Sequence, residues 1–312
     1  MNKDESRFQA FSLSELIEEE SDFFPLLSQE DEDKIDKEKT PKTLPILPLR
    51  NTVLFPGVII PITIGRDRSI KLIKETYKGN RTIGVLAQKD PTIEIPETQD
   101  LNRIGTVAHI LKMLRMPDGN ITAIIQGRKR FEIEEFVQKE PFFKAKINRL
   151  DESRPVKNDK EFGALVDSVK DLALQIIEES PNIPSEATLA IKNIESPSFV
   201  INFVASNMNI SLIEKQGLLE EIDLKVRANN ALEFLTKELQ MLEMKNEIQS
   251  KVRTDLDKQQ REYFLHQQMK TIQEELGGAG SGQEIEEMRA IAKQKKWNKE
   301  VAESFEKDLR KL

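Results

Sequence analysis

Without cysteine, a protein's reactive groups are limited to imidazole, carboxylate, hydroxyl and amine. This 312-residue chain has no cysteine and only two histidines, His109 and His266. Disulfides, thiolate zinc sites and cysteine nucleophiles are therefore excluded. His109 sits inside an Ile/Val-rich run from Ile104 to Leu111, and His266 inside a long run of helix formers, so each reads as a structural histidine. Neither a Gly-x-Ser-x-Gly elbow nor a His-Glu-x-x-His pair occurs. Gly277-Gly278-Ala279-Gly280-Ser281-Gly282 has the glycine density of a phosphate cradle. Yet Gln283 and Glu284 stand where that cradle needs lysine and a hydroxyl, and no buried strand precedes it, so the run reads as a flexible linker. Met241, Met244 and Met269 read as packing. No catalytic, cofactor-binding or metal site is expected.

Charge narrows the choice of partner. Residues 1–43 hold 13 acidic and 6 basic side chains, which accounts for the whole net charge of −7 and leaves 41 of each sign in residues 44–312. A neutral body lacks the overall basic footprint of a nucleic-acid binder, although Arg128-Lys129-Arg130 is a local patch. The acidic clusters at Glu18–Glu20 and Glu30–Asp33 carry few apolar neighbours, so 1–43 reads as a disordered acidic tail. No apolar run approaches the ~18 residues of a membrane span, and no secretion signal opens the chain, which implies a cytoplasmic protein with no membrane contact.

The elements that position these groups fall into two kinds. Prolines at 45, 48, 56 and 61 forbid a helix over Leu44–Ile62 and leave short extended pieces joined by turns. A short helix follows, capped by Asp67 or Ser69 and closed by Gly79, and then a buried strand over Thr82–Gln88. Ile104–Leu114 and Ile121–Gln126 form a hairpin about the turn Pro117-Asp118-Gly119-Asn120. Alternation at Phe131, Ile133 and at Phe143, Ala145, Ile147 predicts two more half-buried strands, and 44–150 is read as one β-rich domain.

After Pro155 the apolar period becomes helical. Phe162, Leu165, Val166, Val169, Leu172, Ala173, Ile176 and Ile177 mark an amphipathic helix, and Ser185, Ser196-Pro197 and Ser211 with Glu214 cap three more, giving a helical bundle over 156–229. Leu218–Leu276 contains neither glycine nor proline and reads as one very long helix, its segment 230–276 serving as a connector on the order of 70 Å long. Leu232, Leu235, Leu239 and Leu242 repeat at 3,4,3 spacing, which marks either a face covered by the chain's own domain or a contact with another subunit or domain, so they are candidate assembly contacts. Beyond the linker at 277–283, Asn298 caps a helix bearing Val301, Phe305, Leu309 and Leu312 within the segment 284–312. That pattern runs to the last residue, so the chain is expected to continue into a further module.

Several landmarks then match a family. The segment Leu44-Pro45-Ile46-Leu47-Pro48-Leu49-Arg50-Asn51-Thr52-Val53-Leu54-Phe55-Pro56-Gly57, Gly65-Arg66-Asp67-Arg68-Ser69-Ile70, Gly105-Thr106-Val107-Ala108, Leu114–Gly119 and Gln260–Gly277 resemble the N-terminal region of bacterial Lon (LonA-type) proteases. The resemblance implies an α+β chain: a small PUA-like β-rich barrel, then an all-α subdomain with one very long helix. It further implies a non-catalytic part of an ATP-dependent serine protease, with ATP and Mg bound and a Ser-Lys dyad carried elsewhere in a homohexamer. Its partners would be unfolded, damaged or tagged proteins, with DNA contact possible in the whole protein. Leu54, Phe55, Val58 and Ile59 are either core or candidate substrate contacts, since a selector of misfolded chains needs exposed apolar surface. A nucleic-acid-binding PUA-like module and a stand-alone adaptor are the alternatives.

Overall fold

The computed structural model describes Ile35 and residues 37–309, apart from 117–119, 157–158, 181–185, 276–277 and 296. Most of the acidic tail, the turn at Pro117–Gly119, the cap at Ser185, the Leu276–Gly277 step and Leu312 lie outside the described residues. The chain divides into two compact units, Met1–Glu243 and Met244–Leu312.

The first unit opens with a barrel. Strand β1 (Thr43–Leu49) runs parallel to β3 (Thr82–Ala87) and antiparallel to β6 (Lys144–Leu150). Strand β4 (Ile104–Arg115) links β3 to β5 (Ile121–Gln138), and β5 pairs back to β6, so five strands close a ring. Strand β2 (Ile59–Ile64) adds to β5 outside that ring. The prolines fit because each faces an edge: Pro61 lies in edge strand β2, while Pro45 pairs with β6 and Pro48 with β3, neither half of β1 being paired on both sides. The sequence reading splits β5 in two, at Gln126 and Phe131. In fact it is one strand of 18 residues, whose polar centre Arg128–Arg130 interrupts the apolar alternation.

Between β2 and β3 the helix α1 (Asp67–Lys78) covers one barrel face with Leu72 and Ile73. Its expected caps differ from those observed. Arg66 is the N-cap and no side chain caps there, while Gly79 has φ −104° and the left-handed residue is Arg81 at φ 56°. Arg81 holds that conformation with its guanidinium 4.5 Å over the Tyr77 ring and its N–H on Thr76 O.

Four helices follow: α2 (Lys160–Glu179), α3 (Glu186–Asn193), α4 (Pro197–Asn207) and α5 (Leu212–Glu220). Ser196 accepts from Phe199 N, and Ser211 with Glu214 forms the expected capping box. The sixth, α6 (Leu224–Glu275), has 52 residues. It does not begin at Leu218. Helix α5 ends at its C-cap Glu221, Asp223 starts α6 by accepting from the N–H groups of Lys225 and Val226, and Ser153 exchanges backbone hydrogen bonds with Ile222 and Leu224. A capped break needs no glycine or proline, which is why the sequence concealed it.

The helices share one core with the loop that precedes β2. Val53, Phe55 and Val58 pack with Val166, Phe199, Val200, Leu224 and Ala228. Gly57 makes the loop possible with φ 84°, and Gly127 lets it approach: a Cβ there would lie 2.2 Å from Phe55 O. Backbone bonds Gly57 N→Gly127 O and Gly127 N→Val58 O, both 2.9 Å, lock the contact.

In the second unit α6 continues from Met244 to Glu275, and α7 (Gly278–Gln294) and α8 (Lys299–Leu309) follow. The expected linker is thus helical from Gly278 on. Glycine costs a helix about 1 kcal/mol per residue relative to alanine but does not forbid one, and Glu284–Gln294 is rich in formers that extend it. Asn298 caps α8 through Val301 N at 3.1 Å, and Trp297 meets Phe305 edge-on at 5.0 Å. Among the described residues no helix is long and apolar enough to cross a membrane.

Candidate functional site

Where the barrel meets the helices of the first unit there is a cleft of about 330 Å³. Its walls are cationic: Arg128, Lys129, Arg130, Arg149 and Arg154 line it against two carboxylates, Asp151 and Glu152. Three of those cations are consecutive in β5. A regular strand would send alternate side chains to opposite faces, but here Val107 pairs with Lys129 and Ala108 with Gly127, so Arg128 is an inserted residue. The bulge turns three neighbouring cations into one cleft.

Glu152 organises the floor. Its carboxylate accepts from Arg130 Nη2 at 2.5 Å, Arg227 Nη1 at 2.8 Å, Arg154 Nε at 3.2 Å and Ser198 Oγ at 2.8 Å. Arg227 is fully buried and also donates to Asn202 Oδ1 and to the Glu221 carbonyl, while Arg130 reaches that carbonyl too. Strand β5, the segment after β6, and helices α4 and α6 are thereby tied through one carboxylate. Burial alone would push the Glu152 carboxyl up, but Arg227 and Arg130 outweigh it and hold it below the ordinary glutamate value. Burial pushes the Arg130 guanidinium down to about 10, helped by Arg227 and opposed by Glu152. Nearby His109, on β4, is kept neutral to lower pH by burial and by Arg128.

One segment already lies against this wall. Ile35 is 7% exposed and lines the cleft, Lys129 Nζ donates to Glu38 O at 2.5 Å, and Arg128 Nη1 is 3.4 Å from Glu38 Oε1. Arg128 Nε is buried and has no hydrogen-bond partner. The lining makes a concave surface of five cations and two carboxylates beside the apolar Ile35 and Pro56.

The residues singled out from the sequence sit elsewhere. Leu54, Phe55 and Val58 are core, and Ile59 is half-buried, so the loop joins barrel to helices and gives no apolar patch. Leu232, Leu239 and Leu242 pack around buried Leu235 in the helical core of the same chain, which already uses their seam. Exposed instead, farther along α6, are Ile248, Val252, Leu256, Tyr263, Phe264, Leu265, Met269 and Ile272. His266 is exposed on that helix, and no group of three or more potential metal ligands occurs among the described residues. Arg128–Arg130 was visible as a patch, whereas Glu152 and Arg227 were not. Arg227 did leave a signal, a lone cation on the apolar face formed by Leu224, Ala228, Ala231 and Leu235.

Comparison with known proteins locates this architecture. A family model described as the ATP-dependent protease La (LON) substrate-binding domain matches residues 43–237. The Lon protease of Flavobacterium johnsoniae is 60% identical over 296 residues, 95% of this chain and 36% of that protein. The Lon protease of Cytophaga hutchinsonii is 51% identical over 291 residues, 93% of this chain and 36% of that protein. The chain thus spans about 36% of the length of these curated relatives. Among solved structures, the N-terminal domain of the Mycobacterium avium complex Lon protease has the same fold, with a TM-score of 0.52 at 19% identity, over 62% of this chain and 98% of that one.

Proposed function

The chain belongs to the ATP-dependent protease La (LON) substrate-binding domain family, and from that premise we propose that it is the substrate-holding, non-catalytic part of an ATP-dependent serine protease. It captures misfolded or tagged proteins for ATPase and protease modules that lie beyond these residues. ATP and Mg act in those modules. One observation carries the reading: the match covers barrel and helical core as a single block, 43–237, the two parts that share the core around Phe55 and the Glu152 network. A binding element must present a rigid shaped surface, and a shared core supplies one.

Binding of reduced, carboxymethylated lactalbumin by this chain, followed by fluorescence anisotropy, tests the reading. Micromolar affinity that native lactalbumin lacks is expected, and equal indifference to both forms would end it. The coding sequence beyond Leu312 supplies an independent check. A Gly-x-x-x-x-Gly-Lys-Ser/Thr loop there is expected for the protease, and a stop codon would mean a stand-alone adaptor.

Assembly of a homohexamer belongs to the same proposal, with α6 as the contact. Since Leu235 serves the chain's own core, the residues to test are exposed Val252 and Leu256. Light scattering should report a lower mass for Leu256→Asp at a concentration where the unaltered chain associates. The cationic cleft favours one competing reading, nucleic-acid binding. Against it stand equal numbers of both charges over 44–312, because phosphate contacts depend on cations in excess.

A further inference from the structure

We propose that helix α6 pairs with α6 of a second copy of this chain, antiparallel, about a two-fold axis between Leu256 and Asp257. This goes beyond the assembly contact at Val252 and Leu256, because it uses another face of the helix and fixes both direction and register.

An exposed apolar stripe marks that face. Met244, Ile248, Leu265 and Met269 are each between 53% and 57% exposed on α6. All four fall on the inward-facing positions of one heptad frame, Ile248 and Met269 at a, Met244 and Leu265 at d. At about 100° per residue they share one side of the helix, whereas Val252, Leu256 and Tyr263 lie roughly a third of a turn away. Between the two apolar ends the same frame carries Lys251, Asp255, Lys258 and Glu262, all exposed. A partner helix fits this stripe only if it sets apolar residues on the ends and the opposite charge on each ionic position.

A second copy does both in one direction. Antiparallel strands of a coiled coil bring a positions onto d positions. Met244 then faces Met269 of the second copy, Ile248 its Leu265, Lys251 its Glu262 and Asp255 its Lys258, and the two-fold axis repeats each layer. Every layer is apolar on apolar or cation on anion. A slip by one heptad sets Ile248 on Lys258 or Asp255 on Leu265. In the parallel arrangement each residue meets its own twin, so Lys251, Asp255, Lys258 and Glu262 all face like charge. The ionic layers thus select direction and register, at a cost in stability, since they are desolvated for little gain. Lys251 also lies 2.7 Å from Glu247 Oε1 of its own helix, an exposed pair that holds it weakly. Only the apolar ends supply adhesion, so the pair forms at high chain concentration and comes apart at the dilution of a digest.

The test uses the full chain, which lacks cysteine, so that an introduced cysteine reports on one layer. Under mild oxidation, a mixture of Met244→Cys and Met269→Cys chains should give a disulfide-linked dimer, and neither chain alone should. In sedimentation equilibrium Lys251→Glu should weaken self-association at least tenfold, and adding Glu262→Lys should restore it to within a few-fold, because each layer again joins opposite charges. A defect caused only by losing the Glu247 pair would not be repaired at Glu262. Crosslinking of either cysteine chain alone as readily as the mixture, a chain that stays monomeric at every concentration reached, or a Lys251→Glu defect that Glu262→Lys leaves in place overturns the proposal. Leu256→Asp separates the two faces of α6. If it lowers the mass to that of a pair while the mixed crosslink persists, both contacts stand; if it abolishes the mixed crosslink, the copies meet on the Val252 and Leu256 face and this inference falls alone. Mixed crosslinking by chains that ignore carboxymethylated lactalbumin would keep the pairing and remove the function above.

Discussion

Glu152 is one carboxylate serving three guanidinium groups, two of them buried, and the consequences of losing it follow from what stays behind. Glu152→Gln keeps the shape but leaves Arg130 and Arg227 inside without a counter-charge, which should cost about 3–5 kcal/mol in urea unfolding. Ser198→Ala removes one of the four donors and should cost about 1 kcal/mol. The pH dependence has a definite sign. Because the folded-state value of the Glu152 carboxyl is depressed, its contribution is complete above the ordinary glutamate value of about 4.3 and is lost as pH falls through the lower folded value. Unfolding of the unaltered chain and of Glu152→Gln, followed from pH 6 to pH 2, should therefore begin to converge as pH falls below the ordinary glutamate value and meet only below the depressed folded value. Gly127→Ala tests the loop instead: a Cβ 2.2 Å from the Phe55 carbonyl forces the backbone apart, at about 1–3 kcal/mol. Little of this was legible in the sequence. Arg128-Lys129-Arg130 stood out as a run, but the bulge that gathers it and the carboxylate that anchors it depend on pairings between residues far apart in the chain.

Elements were easier to read where local chemistry alone decides them. Ser196-Pro197, the Ser211–Glu214 box and Asn298 cap their helices as their residue types dictate. The reading failed where tertiary contacts overrode local signals: a strand of 18 residues ran through three cations, and α5 was separated from α6 by a cap and a bridge to Ser153. Helix α6 shows both regimes within one element. Up to Leu242 its leucines pack on the helical core, whereas Ile248, Val252, Leu256 and the apolar residues beyond them are exposed. Leu235→Ala should therefore cost about 2–5 kcal/mol and Leu256→Ala less than about 0.5, as urea midpoints will report. A similar cost at both positions would mean that the exposed stretch is covered in solution. The 3,4,3 leucine spacing follows the face on which Leu235 is buried and its neighbours are partly buried, but spacing does not say whether a partner belongs to the same chain.

At the scale of the whole molecule, stability is concentrated in one of the two units. All three buried apolar clusters lie between Ile35 and Leu235, while in Met244–Leu312 only Leu309 is a buried apolar residue among those described. Opening of a segment costs what its buried contacts are worth, so the exposed part of α6 should unwind locally far more often than the barrel or its helical cover. Proteolysis reads that difference directly when opening is fast compared with cleavage. Trypsin finds Lys245, Lys251, Arg253, Lys258 and Arg261 in this stretch, all in a helix that protects them only through its own hydrogen bonds. Limited digestion should cut there first and leave a resistant product that ends between Lys245 and Arg261 and retains the barrel. Leu235→Ala should shorten the lifetime of that product, because it weakens the core on which the product depends, and should leave the rate of the first cut nearly unchanged. Early cleavage inside Thr43–Leu150 would instead place the weak point in the barrel. The Glu152 network and the core around Phe55 would then not be the features that hold the first unit together.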